Sequence, residues 1–128
     1  MRLLLSSKIL IIDDNKMVLE SLKEILEDEG FIVYTVLDEK DALKIIIHQS
    51  PELALVDMTL SDSTGEDFII KAHKTNQKIK YCIYTGDQTY SPTQQMKNCG
   101  VSENNVFFKP ICDFNLFITR INQIIEEN

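Results

Sequence analysis

Three carboxylates stand where apolar segments end. Asp13 and Asp14 close the apolar part of "KILIIDDNK", residues 8–16, and Asp57 directly follows "LALV". Adjacent like charges at the rim of a hydrophobic segment repel each other and resist desolvation. They become favourable together around a hard cation with oxygen ligands. Mg²⁺ is the natural candidate, because it keeps several waters and pairs with phosphate. Thr85, in "YCIYTGD", adds a hydroxyl, and Lys109, in "VFFKP", adds an ammonium. Carboxylates, hydroxyl and ammonium are the parts of a phosphoryl-transfer site, provided that the fold delivers all of them to one edge.

The elements that must do so are short. "KILII" (8–12), "FIVYTV" (31–36), "ELALV" (52–56), "KYCIYT" (80–85) and "VFF" (106–108) are apolar without strict alternation, which predicts strands buried on both faces. Between them, Val18, Leu22, Ile25 and Leu26 recur at helical spacing, with Gly30 as the stop. Asp38 caps a second helix carrying Ala42, Leu43, Ile46 and Ile47, and Ser50-Pro51 ends it. A third runs from Gly65 to Lys74. Ser91-Pro92 is read as the start of a fourth, closed by Gly100. Asp113 caps the last, whose stripe is Phe114, Phe117, Ile118, Ile121 and Ile125. The order βαβαβαβαβα predicts an α/β fold, a doubly wound, five-stranded parallel sheet in one domain of residues 1–128 with a core of about 7–127. Ligands of such sheets gather at the carboxyl ends of the strands, where Asp13, Asp14, Asp57, Thr85 and Lys109 are placed.

These residues carry a family resemblance. Asp13-Asp14 after the first strand, Asp57 after the third, Gly65 eight residues on, Thr85 after the fourth and Lys109-Pro110 after the fifth resemble the receiver domain of two-component response regulators. The resemblance implies the flavodoxin-like (βα)5 topology. It implies that Asp57 takes a phosphoryl group from the phosphohistidine of a sensor histidine kinase or histidine phosphotransfer protein. Mg²⁺ would be held by Asp13, Asp14, Asp57 and the backbone carbonyl of Thr59, Asp14 directly and Asp13 largely through water. Lys109 and the Thr85 hydroxyl would each meet a phosphoryl oxygen, with backbone N–H groups after Asp57 and around Gly86 as further donors. Lys109–Pro110 resembles a bond that is cis in the family. Phosphorylation would draw Thr85 inward and shift the face formed by helix 4, strand 5 and helix 5 toward a downstream effector or output domain, with homodimerisation as one outcome.

The chain departs from that pattern in four places. Ser61 stands where the family often has proline, and Val106 stands where a switching aromatic is usual. The segment from Gly100 to Lys109 is about two residues longer than the common spacing. Thr59 and Asp87 occupy positions that tune acyl-phosphate lifetime; Asp87 is left open between orienting a hydrolytic water and repelling the phosphoryl group.

Bulk properties narrow the rest. A chain of 128 residues, 44% hydrophobic and 26% charged, has room for a core, and its net charge of −7 argues against a sequence-independent grip on nucleic acid. "MRLLLSSK" is too short in apolar residues for a secretory segment, and nothing approaches a membrane span. Cys82, Cys99 and Cys112 form no C-x-x-C and fit reduced thiols in the cytoplasm. His48 and His73 are read as solvated, Met17 and Met96 as packing residues.

Blander readings stand beside the sharp one. Asp13-Asp14 can be a helix cap and polar rim, and Thr-Gly or Lys-Pro ordinary turn chemistry. A haloacid-dehalogenase-type phosphatase would need Asp-x-Asp after the first strand, and "IIDDNK" lacks the spacer. A pseudo-receiver used only for interaction would keep the fold without the chemistry. A flavin mononucleotide binder would need a Ser/Thr/Gly-rich phosphate cradle. The reading adopted is a phosphoacceptor signalling domain whose only chemistry is its own phosphorylation and slow dephosphorylation, not an enzyme.

Overall fold

A computed structural model describes residues 6–127. The leucines of "MRLLLSSK" lie outside the described residues. Five parallel strands, β1 (Lys8–Ile12), β2 (Ile32–Val36), β3 (Leu53–Asp57), β4 (Lys80–Thr85) and β5 (Val106–Phe108), form one sheet in the order β2-β1-β3-β4-β5. Alternating with them are α1 (Lys16–Asp28), α2 (Glu39–Gln49), α3 (Gly65–Thr75), α4 (Gln94–Asn98) and α5 (Phe114–Glu126).

Four of the five apolar runs have the cause expected for them; β2, at the sheet edge, does not, with Ile32 43% exposed and only Val33 buried. Leu10, Ile12, Ala54, Val56, Tyr81, Ile83 and Val106 face one core with Ala42 and Ile46 of α2, Phe68, Ile69 and Ala72 of α3 and Met96 of α4. Their neighbours Ile9, Ile11, Leu53, Leu55, Cys82, Tyr84 and Phe107 face the other, with Leu19, Leu22 and Leu26 of α1 and Phe117, Ile121 and Ile124 of α5. A strand with a core on each side has no solvent face to fill with polar residues. Each fully buried Leu, Ile or Phe contributes about 1.5–3 kcal/mol.

Chain punctuation is mostly where the sequence placed it. Gly30 and Gly100 end α1 and α4 with positive φ, 95° and 85°, which glycine adopts at no steric cost. Asp38 and Asp113 cap α2 and α5 through Asp41 and Leu116 N–H groups. Other readings need correction: Ile47 and Phe114, placed on apolar helix faces, are 59% and 47% exposed. The start of α4 is not Ser91-Pro92: Thr93 is the cap, accepting from Met96 N–H, while the Ser91 hydroxyl bonds Glu103. Met17 does not pack; its side chain is 78% exposed on α1. The long segment before β5 is taken up by a single 3₁₀ turn, Glu103–Asn105. Among the described residues no helix is long and apolar enough to cross a membrane.

Candidate functional site

The strand order sets the site. From β1 the chain goes outward to β2, then crosses back to β3 on the other side, so the connections leaving β1 and β3 at their carboxyl ends run in opposite directions. Ile12 pairs with Val56 in register, and the next residues along each strand are Asp13 and Asp57. Asp14 joins them: one carboxylate oxygen from each of the three residues lies within 4.8 Å of the others.

Helix capping does not explain the acidic pair. The cap of α1 is Asn15, whose side chain accepts from Met17 and Val18 N–H at 3.0 and 3.3 Å. Asp13 is 1% exposed and spends one oxygen on the Asn15 N–H, 2.9 Å away. Its other oxygen meets Lys109 Nζ at 2.9 Å.

Lys109 also reaches Asp57 Oδ1 at 3.2 Å, and its ammonium sits 4.8 Å above the Tyr84 ring. Burial works against its charge, but the hydrogen bond to Asp13 and the field of Asp57 prevail, and its pKa is raised. Asp57 is pushed the other way from a comfortable carboxylate. Burial first and the Asp13 charge second raise its pKa, and Lys109 and the Thr59 backbone N–H only partly offset them. One ammonium between three carboxylates leaves the cluster short of positive charge. That deficit, together with an all-oxygen donor set, fits a hard divalent cation.

Two loops complete the rim. After β3, Gly65 N–H donates to Met58 carbonyl at 2.8 Å, and a Cβ at Gly65 would strike the Asp57 carbonyl oxygen and come within 3.1 Å of Met58 Cα. Glycine is required there by close approach of backbone to backbone. After β4, buried Thr85 accepts through Oγ1 from Asp87 N–H at 3.1 Å, and its carbonyl accepts from Lys109 N–H at 2.8 Å. The Asp87 carboxylate is turned onto its own loop, accepting from the Thr89 N–H and hydroxyl at 2.9 and 2.6 Å. These bonds hold its pKa low.

The structure thus gathers Asp13, Asp14, Asp57 and Lys109, with Thr85 on the adjoining strand and Thr59 beside Asp57. Val106 is in the core, 4% exposed, well short of the rim. The Lys109–Pro110 bond is cis. Sequence reasoning did not single out Tyr84, although its register opposite Asp57 was available once the strands were aligned. It also missed a polar tie between the loop after Asp57 and α2, which has no short-range signature.

Comparison with known proteins agrees with this geometry. Residues 9–122 match the response regulator receiver domain family. Sporulation initiation phosphotransferase F of Bacillus subtilis (strain 168) is 26% identical over 107 residues, 84% of this chain and 85% of that protein. The transcriptional regulatory protein YesN of the same organism, itself uncharacterized, is 22% identical over 123 residues; the match takes in 94% of this chain but 33% of YesN, so the chain spans about a third of that relative. A response regulator receiver domain protein from Methanospirillum hungatei JF-1 superposes with a TM-score of 0.81 at 29% identity, over 94% of each chain. One from Clostridium thermocellum gives 0.80 at 25% identity, over 93% of this chain and 94% of that one. Receiver domains are signalling domains that pair with histidine kinases or phosphotransfer proteins and with output domains. A match running from the first strand into the last helix, on the same fold, leads to one conclusion: this chain belongs to the receiver domain family of two-component response regulators.

Proposed function

We propose that Asp57 is the phosphoacceptor of this receiver domain, within a folded unit of about residues 7–127. The observation that carries the reading is the convergence of Asp13, Asp14 and Asp57 within 4.8 Å, with Lys109 bonded to two of them. An Asp57 carboxylate oxygen attacks the phosphorus of a phosphohistidine. The P–O bond forms as the P–N bond breaks, and the electron pair stays on the imidazole, which takes up a proton. Lys109, already at Asp57 Oδ1, meets the incoming negative charge, and the Thr85 hydroxyl exchanges its Asp87 N–H partner for a phosphoryl oxygen.

Asp13, Asp14, Asp57 and the Thr59 carbonyl are the residues that would hold Mg²⁺. Bound there, the metal supplies neutralisation of the phosphoryl oxygens during in-line transfer. The donor is a sensor histidine kinase or a phosphotransfer protein in the cytoplasm, and the readout is an effector or output domain meeting the α4-β5-α5 face. The family match lends no support to the phosphatase or pseudo-receiver alternatives.

Intact-mass measurement after incubation with a small phosphodonor tests the reading. One phosphoryl group is expected on the wild type with Mg²⁺, almost none with chelator, and none on Asp57→Asn. Phosphorylation that persists in Asp57→Asn would refute it.

A further inference from the structure

The turn at the tip of the loop after Asp57 is held from outside the site. Leu60 N–H donates to the Ser63 carbonyl at 3.0 Å, closing a turn whose central residues are Ser61 and Asp62. Neither is proline, so neither has its φ locked. The restraint comes instead from two helices. Asp62 Oδ1 accepts from Glu39 N–H at 3.0 Å, and its Oδ2 accepts from Lys40 N–H at 3.4 Å. Both donors belong to the first turn of α2, where N–H groups lack intrahelical partners. Ser63 Oγ donates to Glu39 Oε1 at 2.9 Å, and Glu39 Oε2 pairs with Lys71 Nζ of α3 at 2.8 Å. Glu39 is 9% exposed, so its carboxylate relies on these partners.

The same loop reaches Asp57 at its base. Thr59 and Thr64 form an antiparallel bridge, Gly65 N–H is bonded to the Met58 carbonyl, and Thr59 follows Asp57 by two residues. Residues 59–64 therefore make a miniature hairpin. Its tip is clamped to α2, and its base lies two residues from Asp57.

We infer that Asp62, Ser63 and Glu39 are positioning residues for the phosphorylation site. They act through the hairpin on Thr59, and so set metal affinity and phosphorylation rate without touching metal or phosphoryl group. This rests on the roles given above to Asp57 and to the Thr59 carbonyl. Partners one shell out from a metal typically change its affinity about 10–100-fold, and the lower end applies to a contact relayed through backbone.

The test titrates MgCl₂ alone into the full chain, followed by amide chemical shifts, and measures the initial rate of phosphorylation by a small phosphodonor. Asp62→Ala, shown folded by far-ultraviolet circular dichroism, is expected to bind Mg²⁺ about tenfold more weakly and to be phosphorylated more slowly. Asp62→Asn, which keeps one acceptor oxygen, restores most of the loss. A folded Asp62→Ala with a lowered melting temperature but wild-type Mg²⁺ affinity and rate overturns the inference, because a purely structural role would do only that. If Asp62→Ala does not fold, Ser63→Ala decides by the same two readouts. A wild-type chain that neither binds Mg²⁺ nor accepts phosphate would overturn the reading of the site itself. An active wild type with unaffected variants overturns this inference alone.

Discussion

Two loops border the carboxylate cluster and are held in opposite ways. The loop after β3 is fixed at both ends, by the contact of Gly65 with the Asp57 and Met58 backbone and by the ties of Asp62 and Ser63 to α2. The loop after β4 bonds chiefly to itself. Gly86, Asp87, Gln88 and Thr89 are exposed, and the main anchor beyond them is Tyr90, whose hydroxyl donates to Glu66 Oε2 of α3 at 2.7 Å. On the reading proposed above, the first arrangement would keep the phosphoacceptor in place. On the same reading, the second would let Thr85 and its neighbours move when charge is added at Asp57. Val106 is in the core, and Tyr90 of this loop packs against the same core.

The largest effect is expected where the fixed loop has no slack. Gly65→Ala forces the Asp57–Met58 backbone aside and should cost about 2–3 kcal/mol, read from urea unfolding, along with most of the phosphorylation. A variant of wild-type stability would mean that this loop is as yielding as the other.

Next comes Lys109→Ala. It leaves the buried Asp13 and the partly buried Asp57 facing each other without a counter-charge. Breaking a buried pair costs about 3–5 kcal/mol, discounted here to about 2 because the site is open to water on one side. The fold should stand, and added Mg²⁺ should recover part of the loss. Phosphorylation should no longer shift amide exchange at the α4 face, and an unchanged shift would count against the account.

The raised pKa of Asp57 has a definite sign. The folded chain ionises this carboxyl less readily than the unfolded chain does. Its cost to stability is therefore absent below the unfolded pKa, grows as pH rises from there through the folded one, and is complete above it. In metal-free buffer, Asp57→Asn should unfold at a higher temperature than wild type at pH 7, and the gap should close in acid. A gap that widens in acid would contradict the assigned cause.

The smallest effect belongs to the loop after β4. Tyr90→Phe removes one hydrogen bond and should cost about 1 kcal/mol, while speeding amide exchange across residues 86–93 and leaving residues 58–64 unchanged. Equal loosening of both loops would erase the distinction between them.

Much of this was legible in the residues. Continuous apolar runs announced strands with a core on each side, correctly except for the edge strand β2, and Gly30, Asp38, Gly100 and Asp113 marked helix ends by local chemistry. The positions of Asp13, Asp57, Thr85 and Lys109 followed from counting to strand ends. What failed was competition between equally good local signals. Ser91-Pro92 and Thr93 can each open a helix, and only the pull of Glu103 on Ser91 decides between them. Met17 lies next to Val18 on α1, and the turn of the helix sends only the second inward. The ties from Glu39 to Ser63 and Lys71 span 24 and 32 residues, and no periodicity encodes a bond between two helices and a loop.

The most direct test of the central claim is a crystal structure of the chain grown with Mg²⁺. The account predicts one ion held by Asp14, Asp57 and the Thr59 carbonyl, with Lys109 still at Asp57. An ion bound elsewhere, or Asp57 turned away from an empty cluster at saturating Mg²⁺, would contradict it.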